Sequence, residues 1–362
     1  MLRIIAPPIW VRYIWKESFK GFLIALSGLI ALFSLLQFVT FMGMSGDGSY
    51  TLADAGMETL LYVPRKLIET TPMAALLGTL IGLGGLARYQ ELTALTGAGV
   101  SDWRIIQIAS LLAIPLSIFL IFISQFGVPQ AYYKSQAIEA KASSDKEATG
   151  HSFWALGSGG VFLKVGSLAD DGRAWHIQRF IIDDKGQLQE FLKAERAVPN
   201  PDGSWHMSDI LKKTIVRNKV TEETFSDMDW KPFLSEEEMR YLSFPITFVS
   251  PSVLIEHIIQ GRVSGEPKTL CEREIWSRLA LPFSIVALFF FAAPFLFGST
   301  RSRTVGSRIG IGVMIAVAYT LFQEILDRAG LVTGISPIIT AFLPPLLLVA
   351  AAVQLYARAN VK

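Results

Sequence analysis

The residue types that most often carry chemistry are sparse in this 362-residue sequence. It has four scattered histidines and a single cysteine, Cys271, which cannot form an internal disulfide. No H-E-x-x-H motif or other histidine pair has the spacing of metal ligands. No Gly-Lys dipeptide occurs, so the sequence lacks a Walker A loop to hold a nucleotide phosphate. We therefore predict a protein that is not an enzyme, with no catalytic residues and no metal site.

Ionisable side chains are also absent from the centres of the apolar segments. Those near the segments lie close to predicted helix ends: Glu58, Glu69, Glu324, Asp327 and Arg328. A charge at the bilayer centre costs roughly 2.5–3.5 kcal/mol on insertion scales, so a central carboxylate usually marks an ion or proton path. The end positions favour interfacial anchoring instead. The sequence therefore favours an apolar substrate, or apolar partner helices, over an ion relay.

The elements that must position any site are apolar helices. Hydrophobic residues make up 51% of the sequence and charged residues 18%, whereas an average soluble domain has roughly 25% charged residues. A membrane-spanning helix needs about 20 mostly apolar residues. Six segments qualify, three before and three after a long polar stretch: residues 21–42, 67–87, 105–126, 276–297, 309–325 and 335–356.

The polar stretch, residues 127–275, has the pattern of a water-soluble β domain. Alternating apolar and polar residues predict strands, and clusters of Asp, Asn, Pro and Gly at 183–186 and 200–203 predict hairpin turns. A sandwich or jelly roll fits this pattern. The predicted fold class is therefore an α-helical polytopic membrane protein with six transmembrane helices and an inserted all-β, jelly-roll domain.

Three parts follow from this division of the chain. Residues 1–126 hold an N-terminal interfacial helix, predicted over residues 9–20, and the first three spans. The alternative for residues 9–20 is a simple positively charged flank of the first span. Residues 127–275 form the β domain with helical stalks, and residues 276–362 hold the last three spans.

Short loops with an excess of Lys and Arg stay in the cytoplasm. This rule places both termini in the cytoplasm and the β domain outside, because the positive residues concentrate on one side: Arg3, Arg12, Lys16, Lys20, Arg88, Arg104, Arg301, Arg303, Arg308, Arg358 and Lys362.

Two features of the second span and its cytoplasmic end indicate contacts with other helices. Four glycines, Gly78, Gly82, Gly84 and Gly85, make close helix approach feasible. After the span, a short amphipathic helix begins near Glu91 and presents Leu92 and Leu95 on one face, with Gly97 or Gly99 as its C-cap. Such a helix suits docking into the groove of a cytosolic partner.

These residues also carry a family resemblance. The strings Gly48-Ser-Tyr, 55–64 (AGMETLLYVP), 72–78 (PMAALLG), 82–87 (GLGGLA), 97–101 (GAGVS) and 334–339 (GISPII) occur in order. Together they resemble the LptF/LptG permease family, and its LptG branch more than its LptF branch. The resemblance covers nearly the whole chain and is strongest over residues 48–101.

The resemblance implies a function and a set of partners. Members of this family are membrane subunits of the ABC transporter that extracts lipopolysaccharide from the Gram-negative bacterial inner membrane. An LptF-type paralogue would pair with this chain, and an LptB-type ATPase dimer would bind ATP and Mg²⁺ below, so this chain itself would carry no cofactor. LptC and LptA would form a periplasmic bridge. The short helix would be the coupling helix, and Glu91 would pair with a basic group on the ATPase.

One departure concerns phosphate recognition. Enterobacterial family members have lysines along the outer end of the first helix, facing the phosphates of the substrate. Here Gln37 stands where a lysine would, and Gly43 and Met44 replace a lysine pair. We expect Arg65 and Lys66, in the next external segment, to take over part of this role, because charge-assisted contacts to phosphate are strong. The alternative is that both residues are ordinary anchors at the lipid headgroups.

Helix position and family geometry then give a candidate apolar lining for the acyl chains. It consists of Phe33, Phe41, Met314, Tyr319 and Phe322, and Gln37 also belongs to the candidate lining. Two alternatives to the transporter differ from it in testable features. A secondary transporter would need an inverted repeat or mid-membrane carboxylates, which the sequence does not show. A non-transporting scaffold or sensor with a periplasmic β receptor domain would have no need of a coupling helix.

Overall fold

The computed structural model describes residues 8–43, 50–142, 152–157, 159–168, 172–183, 186–200, 204–216, 219–233, 239, 244–260, 268–297 and 305–360. The chain divides into two compact units. The helical unit comprises Met1–Leu36, Val63–Ile123 and Ile275–Lys362. The β unit comprises Gln37–Tyr62 and Ser124–Glu274, so it includes a segment that the sequence-based division assigned to the N-terminal spans.

Helices account for most of the described residues outside the sheet. They are α1 (Ile9–Met42), α2 (Leu52–Arg88), α3 (Glu91–Gly97), α4 (Asp102–Ser110), α5 (Ala113–Phe122), α6 (Val128–Ala142), α7 (Pro251–Gln260), α8 (Lys268–Phe291), α9 (Ala293–Phe297), α10 (Val305–Thr333) and α11 (Pro337–Asn360). A π-helical turn, Ile123–Gly127, joins α5 to α6, and a 3₁₀ turn, Ile246–Phe248, precedes α7.

Six candidate membrane spans lie within the described residues, as predicted from hydropathy. They are Ile9–Met42, Leu52–Arg88, Asp102–Ile138, Thr269–Phe297, Gly306–Thr333 and Pro337–Arg358. Residues 9–20, the expected interfacial helix, continue into the first span without a break. Their location at the membrane surface stays a prediction. Four of the positive residues used to predict orientation lie outside the described residues: Arg3, Arg301, Arg303 and Lys362.

Local sequence explains where α2 begins. The backbone N–H of Thr51 donates to the Asp54 carboxylate at 2.9 Å, and the Asp54 N–H donates to the Thr51 hydroxyl at 3.3 Å. This reciprocal cap satisfies donors that the first helical turn leaves unpaired. A negative charge in the first turn also interacts favourably with the helix dipole.

Glycines bring α1 and α2 into backbone contact. A Cβ at Gly21 would lie 2.2 Å from the Gly78 carbonyl oxygen, and one at Gly82 would lie 2.3 Å from the Glu17 carbonyl oxygen. The spacing of Gly78 and Gly82 is that of a G-x-x-x-G packing motif. The predicted close approach is confirmed for these glycines, whereas a Cβ at Gly85 would meet no atom within 4 Å.

The β unit contains an antiparallel sheet of seven described strands. They are β1 (Phe153–Leu156), β2 (Val161–Val165), β3 (Ser167–Leu168), β4 (Ala174–Ile182), β5 (Leu188–Pro199), β6 (Trp205–Val216) and β7 (Lys219–Trp230). Their order is β1-β2-β4-β5-β6-β7, with β3 paired to β4. β2 and β3 both pair with β4, and every other described strand pairs with its neighbour in sequence, so the described strands show no Greek-key crossover. The inserted antiparallel β domain is confirmed.

Side-chain alternation places the core on one face of this sheet. Ile177 pairs with Ala194, and Ala194 pairs with Ile210 on the next strand. All three side chains are fully buried. Trp205 and Met207 extend the same apolar cluster. The hairpin turn predicted at 183–186 is closed by a 3.0 Å bond from the Asp183 N–H to the Gln187 carbonyl.

Candidate functional site

Backbone geometry defines both ends of α3, the expected coupling helix. Gln90, just before it, has a left-handed φ of 60°, and Gly97 is its last residue. Gly99 has a φ of 90°, and the Val100 N–H beyond it donates to the Leu95 carbonyl at 3.1 Å. A left-handed residue after the helix is the usual C-terminal signal. Of the two glycines predicted as alternative caps, Gly99 therefore provides it.

The position of Leu92 corrects the expected docking face. Leu92 is 3% exposed and Leu95 is half-buried, so Leu92 anchors the helix to its own chain. α3 has only seven residues, which are too few for a stable isolated helix, so the helix needs this contact with the rest of the chain. The exposed residues of α3 and its cap are small: Thr93, Ala94, Gly97, Ala98 and Gly99. A partner can approach the backbone closely on this face.

Glu91, the first residue of α3, is half-buried and already has one contact within the chain. The hydroxyl of Tyr13 in α1 donates a 2.7 Å hydrogen bond to its Oε2 atom. Carboxylates accept several hydrogen bonds, so Oε1 keeps acceptor capacity for a cationic group. The geometry is compatible with the expected pairing of Glu91 with a basic residue.

The two cations expected to contact phosphate are held by one carboxylate. In α2, Arg65 Nε lies 2.8 Å from Oε1 of Glu69, and Lys66 Nζ lies 2.8 Å from its Oε2. The Arg65 and Lys66 side chains are 16% and 23% exposed. This triad has a net charge of +1, so Glu69 competes with any external anion for both cations.

The expected lining residues differ in exposure. Met314 is 73% exposed and Phe322 40%, and Phe33 and Gln37 are half-buried. Phe41 and Tyr319 are each only 5% exposed. The Phe41 ring packs edge-on against Tyr62 with centroids 5.1 Å apart, and the Tyr319 hydroxyl donates to Ser284 Oγ at 2.8 Å.

These two rings are therefore engaged inside the chain itself. Packing against neighbouring helices satisfies both the apolar surface of Phe41 and the polar hydroxyl of Tyr319. Because neither ring is on the surface, we remove Phe41 and Tyr319 from the candidate lining. The four remaining residues, Phe33, Gln37, Met314 and Phe322, stay predictions.

Sequence reasoning missed the environment of Glu58. It was interpreted as an interfacial anchor, but its side chain is fully buried in the β unit. Tyr50 and Ser135 both donate hydrogen bonds to its carboxylate. The only sequence signal was a carboxylate inside an apolar run, which marks a paired charge without identifying its partners.

Clustered metal ligands do not occur in the described part of the chain. Among the residues that the structure describes, no group of three or more His, Cys, Asp or Glu is placed to hold a metal ion.

Comparison with known proteins identifies this arrangement. Residues 12–358 match the family described as lipopolysaccharide export system permease LptF/LptG. The chain is 29% identical over 341 residues to the permease protein LptG of Haemophilus influenzae, covering 93% of this chain and 95% of that protein. It is 28% identical over 337 residues to LptG of Escherichia coli strain K12, covering 92% and 93%. The chain belongs to the LptF/LptG family of lipopolysaccharide export system permeases.

Proposed function

We propose that this chain is the transmembrane subunit of an ABC transporter that extracts lipopolysaccharide from the inner membrane. It would pass the lipid to a periplasmic bridge leading toward the outer membrane. The observation that carries this proposal is the family match over residues 12–358, which includes all but the ends of the chain. The relatives, both named as lipopolysaccharide export permeases, match over more than nine-tenths of the chain.

The proposed assembly divides the work among several chains. This chain would pair with an LptF-type paralogue, and both would sit on an LptB-type ATPase dimer that binds ATP and Mg²⁺. LptC and LptA would receive the lipid. The exposed small residues of α3 support this division, because they let a groove on the ATPase close around the helix.

The proposed orientation follows the positive-inside rule. Both termini would lie in the cytoplasm, and the β unit would lie in the periplasm. Arg88 and Arg104 flank the α3 segment, which this orientation places on the ATPase side. The same orientation places Arg65 and Lys66 toward the periplasmic end of α2, where lipid headgroup phosphates of the outer leaflet are found.

The proposed mechanism is mechanical. The lipid would enter sideways between helices, and exposed apolar side chains such as Met314 and Phe322 would cover its acyl chains. Each buried CH₂ is worth about 0.8 kcal/mol, so a lipid with several chains does not leave a membrane spontaneously. Closure of the ATPase dimer would collapse the cavity and drive the lipid out toward the bridge.

Co-purification with an ATPase subunit tests the proposal. Tagged full-length chain is purified in detergent from cells that express the whole assembly, and the bound ATPase is quantified. Glu91→Lys should reduce the retained ATPase by about tenfold or more, since like charges replace an attractive pair. Glu223→Lys, at an exposed position on β7, is the matched control and should have no effect. Equal ATPase recovery for both variants would instead support the scaffold or sensor alternative.

A further inference from the structure

Tyr13 and Glu91 join two elements that are distant in sequence. The Tyr13 hydroxyl donates a 2.7 Å bond to Glu91 Oε2 across 78 positions. Tyr13 is 39% exposed and Glu91 is half-buried, so both remain accessible at the surface. The bond connects the first transmembrane helix directly to the helix that the proposed function assigns to the ATPase interface.

The direction of the Glu91 side chain depends on contacts outside α3. Gln90 before it is left-handed and its side chain makes no capping hydrogen bond to α3. A helix of seven residues does not hold its own first turn rigidly. Leu92 fixes one face by burial, and the bond from Tyr13 restrains the adjacent carboxylate.

Tyr13 itself is held firmly, because its neighbours in α1 are anchored on α4. Ile14 is fully buried, and the Trp15 indole N–H donates to the Ile108 carbonyl at 2.7 Å. The Arg104 guanidinium lies 5.7 Å from the centre of the Trp10 ring, within cation–π range. The phenol of Tyr13 therefore projects from a fixed backbone toward Glu91.

We propose that Tyr13 is a positioning residue for Glu91. Its hydroxyl orients the carboxylate so that Oε1 faces the basic group of the ATPase, and the bond passes movement of α3 to α1. This inference rests on the proposed function, because it takes α3 as the ATPase-docking element. Any push or pull on α3 would then act on the first span through Tyr13, in addition to the covalent path along α2.

A double-mutant cycle on the assembled complex tests this role. The affinity of purified ATPase for the full-length permease pair in detergent is measured for Tyr13→Phe, Glu91→Ala and the double variant. Phenylalanine keeps the ring and removes only the hydroxyl. Tyr13→Phe should weaken binding about 5- to 10-fold, since it removes a hydrogen bond to a charged group. Tyr89→Phe, at a ring 72% exposed beside the same segment, is the matched control and should change binding less than about 2-fold.

The second arm of the cycle separates positioning from packing. In the Glu91→Ala background, Tyr13→Phe should have less than about a 2-fold further effect, because its acceptor is gone. If Glu91→Ala abolishes binding, Glu91→Gln replaces it, and the loss from Tyr13→Phe should shrink to about 2-fold, because neutral hydrogen bonds are weaker. The inference is overturned if Tyr13→Phe lowers the affinity for the ATPase equally in both backgrounds. It is also overturned if Tyr13→Phe leaves that affinity unchanged in the otherwise wild-type protein. Wild-type binding by Glu91→Ala overturns the proposed docking role of α3 as well.

Discussion

The hydroxyl of Tyr50 donates a 2.5 Å hydrogen bond to Oε2 of Glu58 in the buried interior of the β unit. Ser135, in α6, donates a 2.9 Å bond to the other carboxylate oxygen. Removing a carboxylate from water is costly unless hydrogen bonds replace its hydration. These two hydroxyls supply part of that replacement, so the three side chains tie the start of α2 to α6.

We expect Glu58→Ala to destabilise the protein more than a surface substitution does. It deprives two buried hydroxyls of this acceptor, each such loss costing about 1–3 kcal/mol. Tyr50→Phe, which removes one donor, should cost about 1 kcal/mol. Thermal unfolding of the purified full-length chain in detergent measures both effects. Glu223→Ala, at an exposed site on β7, is the control, and an equal effect there would contradict a structural role for the buried network.

The contrast between Glu58 and Gly99 shows which features a sequence can predict. The cap at Gly99 depends on its own φ and on bonds within five residues, all of which local chemistry determines. Of the two hydrogen-bond partners of Glu58, Tyr50 lies 8 positions away, but Ser135 lies 77 positions away. Leu92 was misassigned for the same reason, since its burial depends on neighbours from elsewhere in the chain. Hydropathy predicted the six spans because bilayer thickness imposes a requirement that each segment satisfies alone.

A side chain at Gly82 should disrupt the crossing of α1 and α2. Its Cβ would lie 2.3 Å from the Glu17 carbonyl oxygen, a backbone atom that cannot rotate away. We expect Gly82→Ala to lower the free energy of unfolding by about 1–3 kcal/mol. Gly85→Ala should instead be neutral or raise it by about 0.5–1 kcal/mol, because the site is open and alanine favours helix. Melting temperatures of the two variants check the opposite signs, and a similar shift for both would contradict this packing.

In the triad of Arg65, Lys66 and Glu69, removing the two cations and removing the carboxylate should have opposite effects on lipid contact. Arg65→Ala/Lys66→Ala removes both cations and should reduce photocrosslinking of lipopolysaccharide to this segment about 3- to 10-fold, because charge-assisted contacts are the strong ones. Glu69→Gln removes the competing carboxylate at 2.8 Å from each cation and should increase crosslinking. Unchanged crosslinking and growth in the double variant would exclude these two residues as the replacement for the missing lysines.

In the β unit, Glu190 should make stability depend on acid pH. Burial by itself raises the pKa of this carboxyl, but hydrogen bonds and charges from Lys212 and Arg179 hold the pKa below its ordinary value of 4.5. A carboxyl whose pKa is lower in the folded state stabilises the fold at pH values above its unfolded-state pKa. This contribution is lost as the pH falls through the folded-state pKa. Glu190→Gln should therefore destabilise the protein at pH 7, and the difference should shrink as the pH falls below 4.5. Unfolding temperatures across this range test it, and a constant difference would contradict the shift.

His206 should give the folding stability the opposite pH dependence, near neutral pH. It pairs with Asp229 across β6 and β7, with Nδ1 2.8 Å from Oδ1. That hydrogen bond raises the pKa of His206 above 6.5, against an opposing effect of desolvation, and the charges of Asp229 and Asp227 add to it. A histidine whose pKa is higher in the folded state stabilises the fold at pH values below its unfolded-state pKa. This contribution is lost as the pH rises through the folded-state pKa.

Ring-labelled histidine in the full-length chain allows this pKa to be measured by NMR, with His206→Gln to assign the signal. Asp229→Asn removes the charge that holds the imidazolium, so the His206 titration should move to lower pH. Glu195→Gln, whose carboxylate pairs with His176 on another part of the sheet, is the control and should leave the His206 titration in place. An unchanged midpoint in Asp229→Asn would mean that this ion pair does not persist in solution. A shifted midpoint would show that the β6–β7 register holds these side chains together.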